Sequence, residues 1–326
     1  FLYSNDPGKF VSATANSNQT YHAIVFEEED TLNFLPKMLS EPEGYEFANH
    51  IIRGVSDEAK TKLPQADRIG NTYVDLLSAS TGNGSANFPQ DNDGVIRRAP
   101  TAIYFDGADH VYPSLVMSAV IDILGIKKDG GFDYDFENNL LNLIDSTDTI
   151  VRTIPIDDNG RMYVNYFGKF QTFYYLPYSY CMDPEMLPPD YWEGKVALVG
   201  ASLPGLMDLR NTPVQETFAG VEIHANVMHS ILQNDFVVVK DNVSTFYSIL
   251  ILCIVIGILI SFPKKPFYAL PLPILGIVGW IIYANLQFIN QLTMIEVVRP
   301  IMSIIGTFGG IFLYNYFGAE KDKRFL

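Results

Sequence analysis

Residues 242–263, NVSTFYSILILCIVIGILISFP, decide the architecture, together with PFYALPLPILGIVGWIIYANLQFINQLTMI at 266–295 and PIMSIIGTFGGIFLYNYFGA at 300–319. None of the three runs carries a charge. A helix needs about 20 mostly apolar residues to cross the hydrocarbon core of a bilayer, and each run reaches that length. The sequence therefore predicts a water-facing part, residues 1–241, and a membrane part, residues 242–319, with spans at about 243–262, 267–287 and 299–318. Residues 320–326 read as the start of a linker that continues into the cytoplasm.

Charge divides along the same line. Residues 1–241 hold 16 Lys and Arg against 34 Asp and Glu, a charge of −18, while the remainder is +3. An acidic domain repels nucleic acid and anionic head groups, so nucleic acid is excluded as a partner and lipid meets only the spans. The link between the first two spans contains Lys264 and Lys265, and the tail contains Lys321, Lys323 and Arg324. The link between spans two and three has Arg299 set against Glu296. The positive-inside rule then puts both basic connections in the cytoplasm and residues 1–241 on the outer side of a cell (inner) membrane.

Cys181 falls in the acidic part and Cys253 at mid-span, so no disulfide between them is expected. The chain opens on FLYSNDPGKF with no basic or apolar leader, and EKDKRFL reads as the first turns of a charged helix. The expectation is an internal piece of a longer protein.

The acidic part mixes strand and helix signals, an α/β arrangement. YHAIVF at 21–26 has strand composition. Gly94 after Asp91-Asn92-Asp93 marks a turn, and residues 94–98 and 101–105 read as hairpin partners. Residues 113–124 read as a helix opened by Pro113 and stopped by Gly125. MYVNY at 162–166 reads as a strand. Residues 196–199 read as a short buried parallel strand ending at Gly200. Residues 221–233 have helical periodicity, and 236–239 read as a last strand before the first span.

Chemistry-bearing patterns are sparse. The loop from Gly200 through Ser202 to Gly205 lacks the spacing of a phosphate-binding loop or a nucleophile elbow, and no base accompanies Ser202. His224 and His229 stand five apart beside Glu222, about 140° around a helix, so they do not share a metal-binding face. No metal site and no catalytic residue are expected. Asp208 with Arg210, and Asp93 with Arg97, are the weak ligand-binding candidates; fixing an irregular segment or turn is the favoured role of each. Gly306, Gly309 and Gly310 are small enough to let helices approach closely, within a chain or between two chains.

The segments DNDGVIRRAP, YPSLVMSAV, VNYFG, GKVALVGASLPGLMDLRNTP and GVEIHANVMHSIL occur in this order between residues 91 and 232. Together they resemble the second type of CHASE domain, a sensory extracellular module of cyclases and kinases. The resemblance covers residues 21–236. It implies that Gly94, Gly200, Gly205, Asp208, Pro213, Gly220, His224 and Asn226 are motif positions with structural roles. It also implies three following spans, a cytoplasmic effector, and a first part of the sensor ahead of Phe1. The tail GAEKDKRFL is similar to the lead-in to a class III nucleotide cyclase.

The expectation is thus an α/β extracytoplasmic sensor domain plus three transmembrane α-helices. It would relay an unknown extracytoplasmic ligand or protein signal to an adenylate or guanylate cyclase, as a homodimer. No cofactor is expected in this chain; Mg and ATP belong to the catalytic domain beyond it. The alternatives are the sensor of a histidine or Ser/Thr kinase, a non-catalytic membrane-anchored assembly protein, and an extracytoplasmic enzyme built around Ser202 or Asp208.

Overall fold

A computed structural model describes residues 7–27, 51–69, 73–183, 185–188, 190–202, 208–262 and 269–324. The chain divides into two units, residues 1–236 and 237–326.

The first unit begins with helix α1 (Pro7–Ser17) and strands β1 (Tyr21–Ile24) and β2 (Phe26–Glu27). Helix α2 (Asp57–Lys62) follows, with the Ser56 hydroxyl accepting from the Ala59 N–H as its N-cap. Next come β3 (Gln65–Ala66), β4 (Arg68–Ile69), α3 (Val74–Ala79), β5 (Gly82–Ser85), β6 (Arg98–Pro100), β7 (Ala102–Phe105) and β8 (His110–Pro113). Helix α4 (Leu115–Leu124) precedes three strands, β9 (Phe132–Asp135), β10 (Leu140–Ile144) and β11 (Ile150–Pro155), and then β12 (Arg161–Tyr163). The unit closes with α5 (Tyr178–Cys181), β13 (Leu209–Arg210), β14 (Phe218–Ala219) and α6 (Gly220–Gln233).

The pairing is mixed, as an α/β reading requires. β1 and β5 are parallel, as are β3 and β7. β7–β8 and β9–β10–β11 are antiparallel, and β6 pairs antiparallel with β12. The main core joins Met117, Val120 and Ile121 of α4 to Leu141, Leu143, Ile154, Phe218 and the Ile223–Val227–Ile231 stripe of α6. These α6 residues recur every four positions, so one face of the helix is buried. A smaller cluster gathers Ile24, Phe26, Phe105 and Tyr112.

Four expectations are corrected. Residues 94–98 and 101–105 are not hairpin partners: β7 pairs with β8 instead, across a turn in which Asp109 takes the left-handed conformation (φ 53°). Pro100 simply lets the chain run on extended from β6 to β7, where Ser114 and Thr101 share a backbone hydrogen bond. Helix α4 starts after Pro113, which ends β8; Ser114 is the N-cap, accepting from Met117 N–H, and Gly125 stops the helix at φ 67° as expected. The strand within 162–166 is only Arg161–Tyr163. Residues 196–199 form no strand, and Val196 and Val199 are exposed. A local apolar run cannot specify the distant strand it would need as a neighbour.

The second unit starts with β15 (Val238–Val239), which lies parallel to β16 (Thr293–Met294). Helix α7 (Asn242–Ser261) is N-capped by the Asp241 carboxylate, which accepts from Ser244 N–H. Helices α8 (Pro271–Gln291) and α9 (Val298–Arg324) follow. Ile256, Ile260, Ala269 and Ile304 form their shared core. Among the described residues two helices, α7 and α8, are long and apolar enough to cross a membrane. The third expected span lies within α9, which is helical but outside that pair. Ile251, Ile254, Leu275 and Ile289 point outward and exposed, as lipid-facing side chains do. Cys181 and Cys253 are free thiols. Lys264 and Lys265 fall outside the described residues.

Candidate functional site

Helix α6 is the point on which most of the motif positions converge. Its first residue, Gly220, lies under the Asp208 carboxylate: a Cβ there would sit 2.4 and 2.6 Å from the two carboxylate oxygens. The Gly220 N–H donates to the Asp208 carbonyl at 2.9 Å, beside the β13–β14 pair. Gly200 approaches the same turn so closely that a Cβ would fall 2.5 Å from Cβ of Val221. At Gly200 a side chain would collide with the β-branched Val221, and at Gly220 it would push the Asp208 carboxylate aside. Arg210 Nε meets Asp208 Oδ1 at 3.4 Å, so these two candidates pair with each other. Thr212 and Gln215 close the turn around Pro213. Gly205 lies outside the described residues.

Two residues further along α6, Glu222 and Asn226, hold a remote loop. Glu222 is 1% exposed. Its Oε2 accepts from the Gln171 N–H and the Tyr175 hydroxyl, both at 2.9 Å, and its Oε1 accepts from Thr172 N–H at 2.9 Å and Phe173 N–H at 3.4 Å. Burial, followed by this hydrogen bond, pushes the Tyr175 hydroxyl well above its usual pKa. Among the described residues no Lys or Arg pairs with Glu222. Its charge is held by neutral donors and by its place in the first turn of α6, where the helix dipole favours an anion. One turn on, Asn226 Oδ1 accepts from Phe167 N–H at 2.9 Å and its amide donates to the Glu222 carbonyl at 2.7 Å. Residues 167–173 are thus clasped to α6 at two levels.

The far end of α6 is complemented by a cation. Arg152 donates from Nε to the Ile231 carbonyl at 2.9 Å and from Nη2 to Leu232 at 3.1 Å. Asn234 ends the helix in the left-handed conformation, φ 63°. His224 is buried with its ring 4.5 Å from that of Phe88, and its Nδ1 has no hydrogen-bond partner among the described residues. Burial lowers its pKa to about 4. His229 instead packs against Phe167 and Phe173, so the two histidines occupy different surroundings.

A second constellation is built by DNDGVIRRAP. Gly94, at φ 78°, closes a turn in which its N–H donates to the Asp91 carbonyl at 2.8 Å. Arg97 forks onto Asp93 at 2.9 and 2.8 Å and reaches Asp91 at 3.2 Å. Arg98 binds Asp91 and, at 2.9 Å, Asp157, which also accepts from Arg161. Asp91, Asp93, Arg97, Arg98 and Arg161 line an open depression of about 510 Å³ with Gln90 and Asn92. The Arg97 hydrogen bond holds the Asp93 carboxyl down at about 2. Burial raises the Asp157 carboxyl, but the Arg161 N–H and guanidinium outweigh it and leave the group below its usual range. Three guanidiniums face three carboxylates, so Asp93 and Arg97 are engaged with each other. The Ile96 N–H donates to the Asn211 carbonyl at 2.8 Å, tying this turn to the Asp208 segment.

Chemically, both constellations fasten remote segments by charge-assisted hydrogen bonds. Among the described residues no group of His, Cys, Asp and Glu is arranged to hold a metal ion. In the second unit a Cβ built on Gly306, Gly309 or Gly310 would meet no other segment within 4 Å among the described residues. A Cβ built on Gly257 would lie 3.8 Å from the side chains of Thr307 and Ile311, and one on Gly276 would lie 2.8 Å from the end of the Ile256 side chain. The sequence reading missed the Glu222 clasp. The trace of it in the sequence is an acidic residue four positions from an asparagine, on one face of the expected helix.

The CHASE2 domain matches residues 13–261, from within α1 to the last residue of α7. No curated protein and no solved structure matches the chain.

Proposed function

This chain belongs to the CHASE2 family, an extracellular sensor domain of signalling proteins, and from that premise we propose that it is the sensing portion of a receptor-type adenylate cyclase. The observation that carries the reading is the position of α6. The motif residues Gly200, Asp208, Gly220 and Asn226 gather with Glu222 at its N-terminal half, and its C-terminal end leads through residues 234–241 directly into α7. A shift of the clasped loop relative to α6 is therefore passed along the chain to the first candidate span. α7, α8 and α9 cross the membrane of the cell, with the lysine-bearing ends in the cytoplasm. Two copies associate, and an extracytoplasmic ligand or protein that favours one arrangement over the other sets the output.

The test uses membranes from cells expressing the whole protein, supplied with ATP and Mg. Cyclic AMP formation is the expected result. Protein phosphorylation without cyclic nucleotide assigns the sensor to a kinase and overturns the cyclase reading. Labelling of intact cells is expected to reach Asp93 and its surroundings but not Lys264 or Lys323.

A further inference from the structure

The loop clasped by Glu222 continues into residues that the first unit leaves uncovered. Tyr174, Tyr178, Tyr180 and Met182 are 81%, 60%, 44% and 67% exposed. From Phe170 to Met182 there is no charged residue, in a unit whose charge is −18. Lone exposed hydrophobics are ordinary, but four within nine residues, free of charge and rich in Tyr and Met, have the make-up of an interface core. The run is bracketed by exposed charges of opposite sign, Lys169 at one end and Asp183 at the other.

We propose that residues 169–183 are the face through which two copies of this chain meet on a two-fold axis. The proposal rests on the homodimer reading above. An isologous contact sets each surface against itself in reverse order. An axis through the middle of the run, near Leu176, places Lys169 of each copy against Asp183 of the other, with the tyrosines between them. An acidic surface repels its own copy, and a charge-free face with complementary ends removes that repulsion. The four side chains offer roughly 500 Å² per copy, most of the 800 Å² or so that one partner contributes to a standard interface. The same segment holds the amides bound by Glu222 and thus connects the contact to α6.

The experiment measures self-association of the full chain in nanodiscs by analytical ultracentrifugation. Lys169→Glu is expected to raise the dimer Kd about tenfold, as is Asp183→Lys, since each sets like charges opposite one another. The double variant Lys169→Glu/Asp183→Lys restores the original pairing in reverse and is expected to return the Kd to within about threefold. Tyr178→Glu is expected to abolish dimers. A dimer indifferent to all four variants overturns this surface and leaves the homodimer reading standing. A chain that is monomeric at every concentration overturns both.

Discussion

Glu222→Ala removes the acceptor for three backbone N–H groups and one phenol while leaving α6 with a good helix former. Two of the bonds run to each carboxylate oxygen. Leaving a buried donor without a partner costs about 1–3 kcal/mol. Gln171 and Thr172 are themselves exposed residues, so water can enter the space vacated and the lower end applies. The loss is then about 4 kcal/mol, a large part of the 5–15 kcal/mol that holds a typical domain together. Glu222→Gln keeps one carbonyl oxygen for Thr172 and Phe173 but turns an amide N–H toward the Gln171 N–H, costing about 2 kcal/mol. Tyr175→Phe deletes one bond and costs about 1 kcal/mol. Hydrogen exchange of the Gln171, Thr172 and Phe173 amides in the full chain reads the effect locally. It is expected to accelerate about 10³-fold in the alanine variant and about 30-fold in the glutamine variant. An acceleration below threefold with alanine, or a glutamine variant equal to the original, would refute the reasoning.

Four further outcomes follow from the same geometry. His224 has a folded pKa of about 4 against about 6.5 unfolded, so between those values the unfolded chain binds more protons and stability rises with pH. About 3 kcal/mol is expected to be lost on acidifying from pH 6.5 to 4, and His224→Gln should flatten that part of a denaturation series. Gly220→Ala drives a methyl into the Asp208 carboxylate and is expected to cost about 1–3 kcal/mol. Adding Asp208→Ala should recover part of that loss, a coupling visible in a double-mutant cycle by urea titration. Arg97→Ala is expected to release the Asp93 carboxyl from about 2 toward the usual carboxylate range, followed by NMR titration. In the second unit, Gly276→Leu forces Ile256 aside and should lower the melting temperature of the chain in detergent, whereas Gly306→Leu with Gly310→Leu should leave it unchanged and weaken self-association.

The parts of the fold that obey local rules were legible. Charge-free length announced α7 and α8, and the helical course of α9. Periodicity with a glycine stop announced α4, and the Ile223–Val227–Ile231 spacing announced α6. Strand partners were not legible, because pairing is decided by segments far apart in the chain. Residues 101–105 have equal strand character whichever neighbour they take, and the left-handed Asp109 that selects β8 is one residue in a polar stretch. The valines at 196–199 show the same limit from the other side, since apolar composition says nothing of whether a second strand is present. At the site, the candidate charges were legible as residues but not as pairs. Asp93 with Arg97 and Asp208 with Arg210 each read as fixing a turn in one dimension, and the fold shows that within each pair the two charges meet. Glu222 was hidden for a different reason: acidic residues in a first helical turn are common on surfaces, and only the fold shows that this one is enclosed.

The absence of a counter-cation at Glu222 among the described residues has a consequence for how an extracellular module responds to salt. Dissolved ions weaken attractions between solvent-facing charges over about 10 Å, yet they have little purchase on an enclosed anion cradled by amide dipoles. The Arg97–Asp93 fork, 37% and 55% open to water, will loosen as the medium grows more saline. The grip on α6 will not, so the helix that precedes the first candidate span in the chain keeps its footing from fresh water to brine.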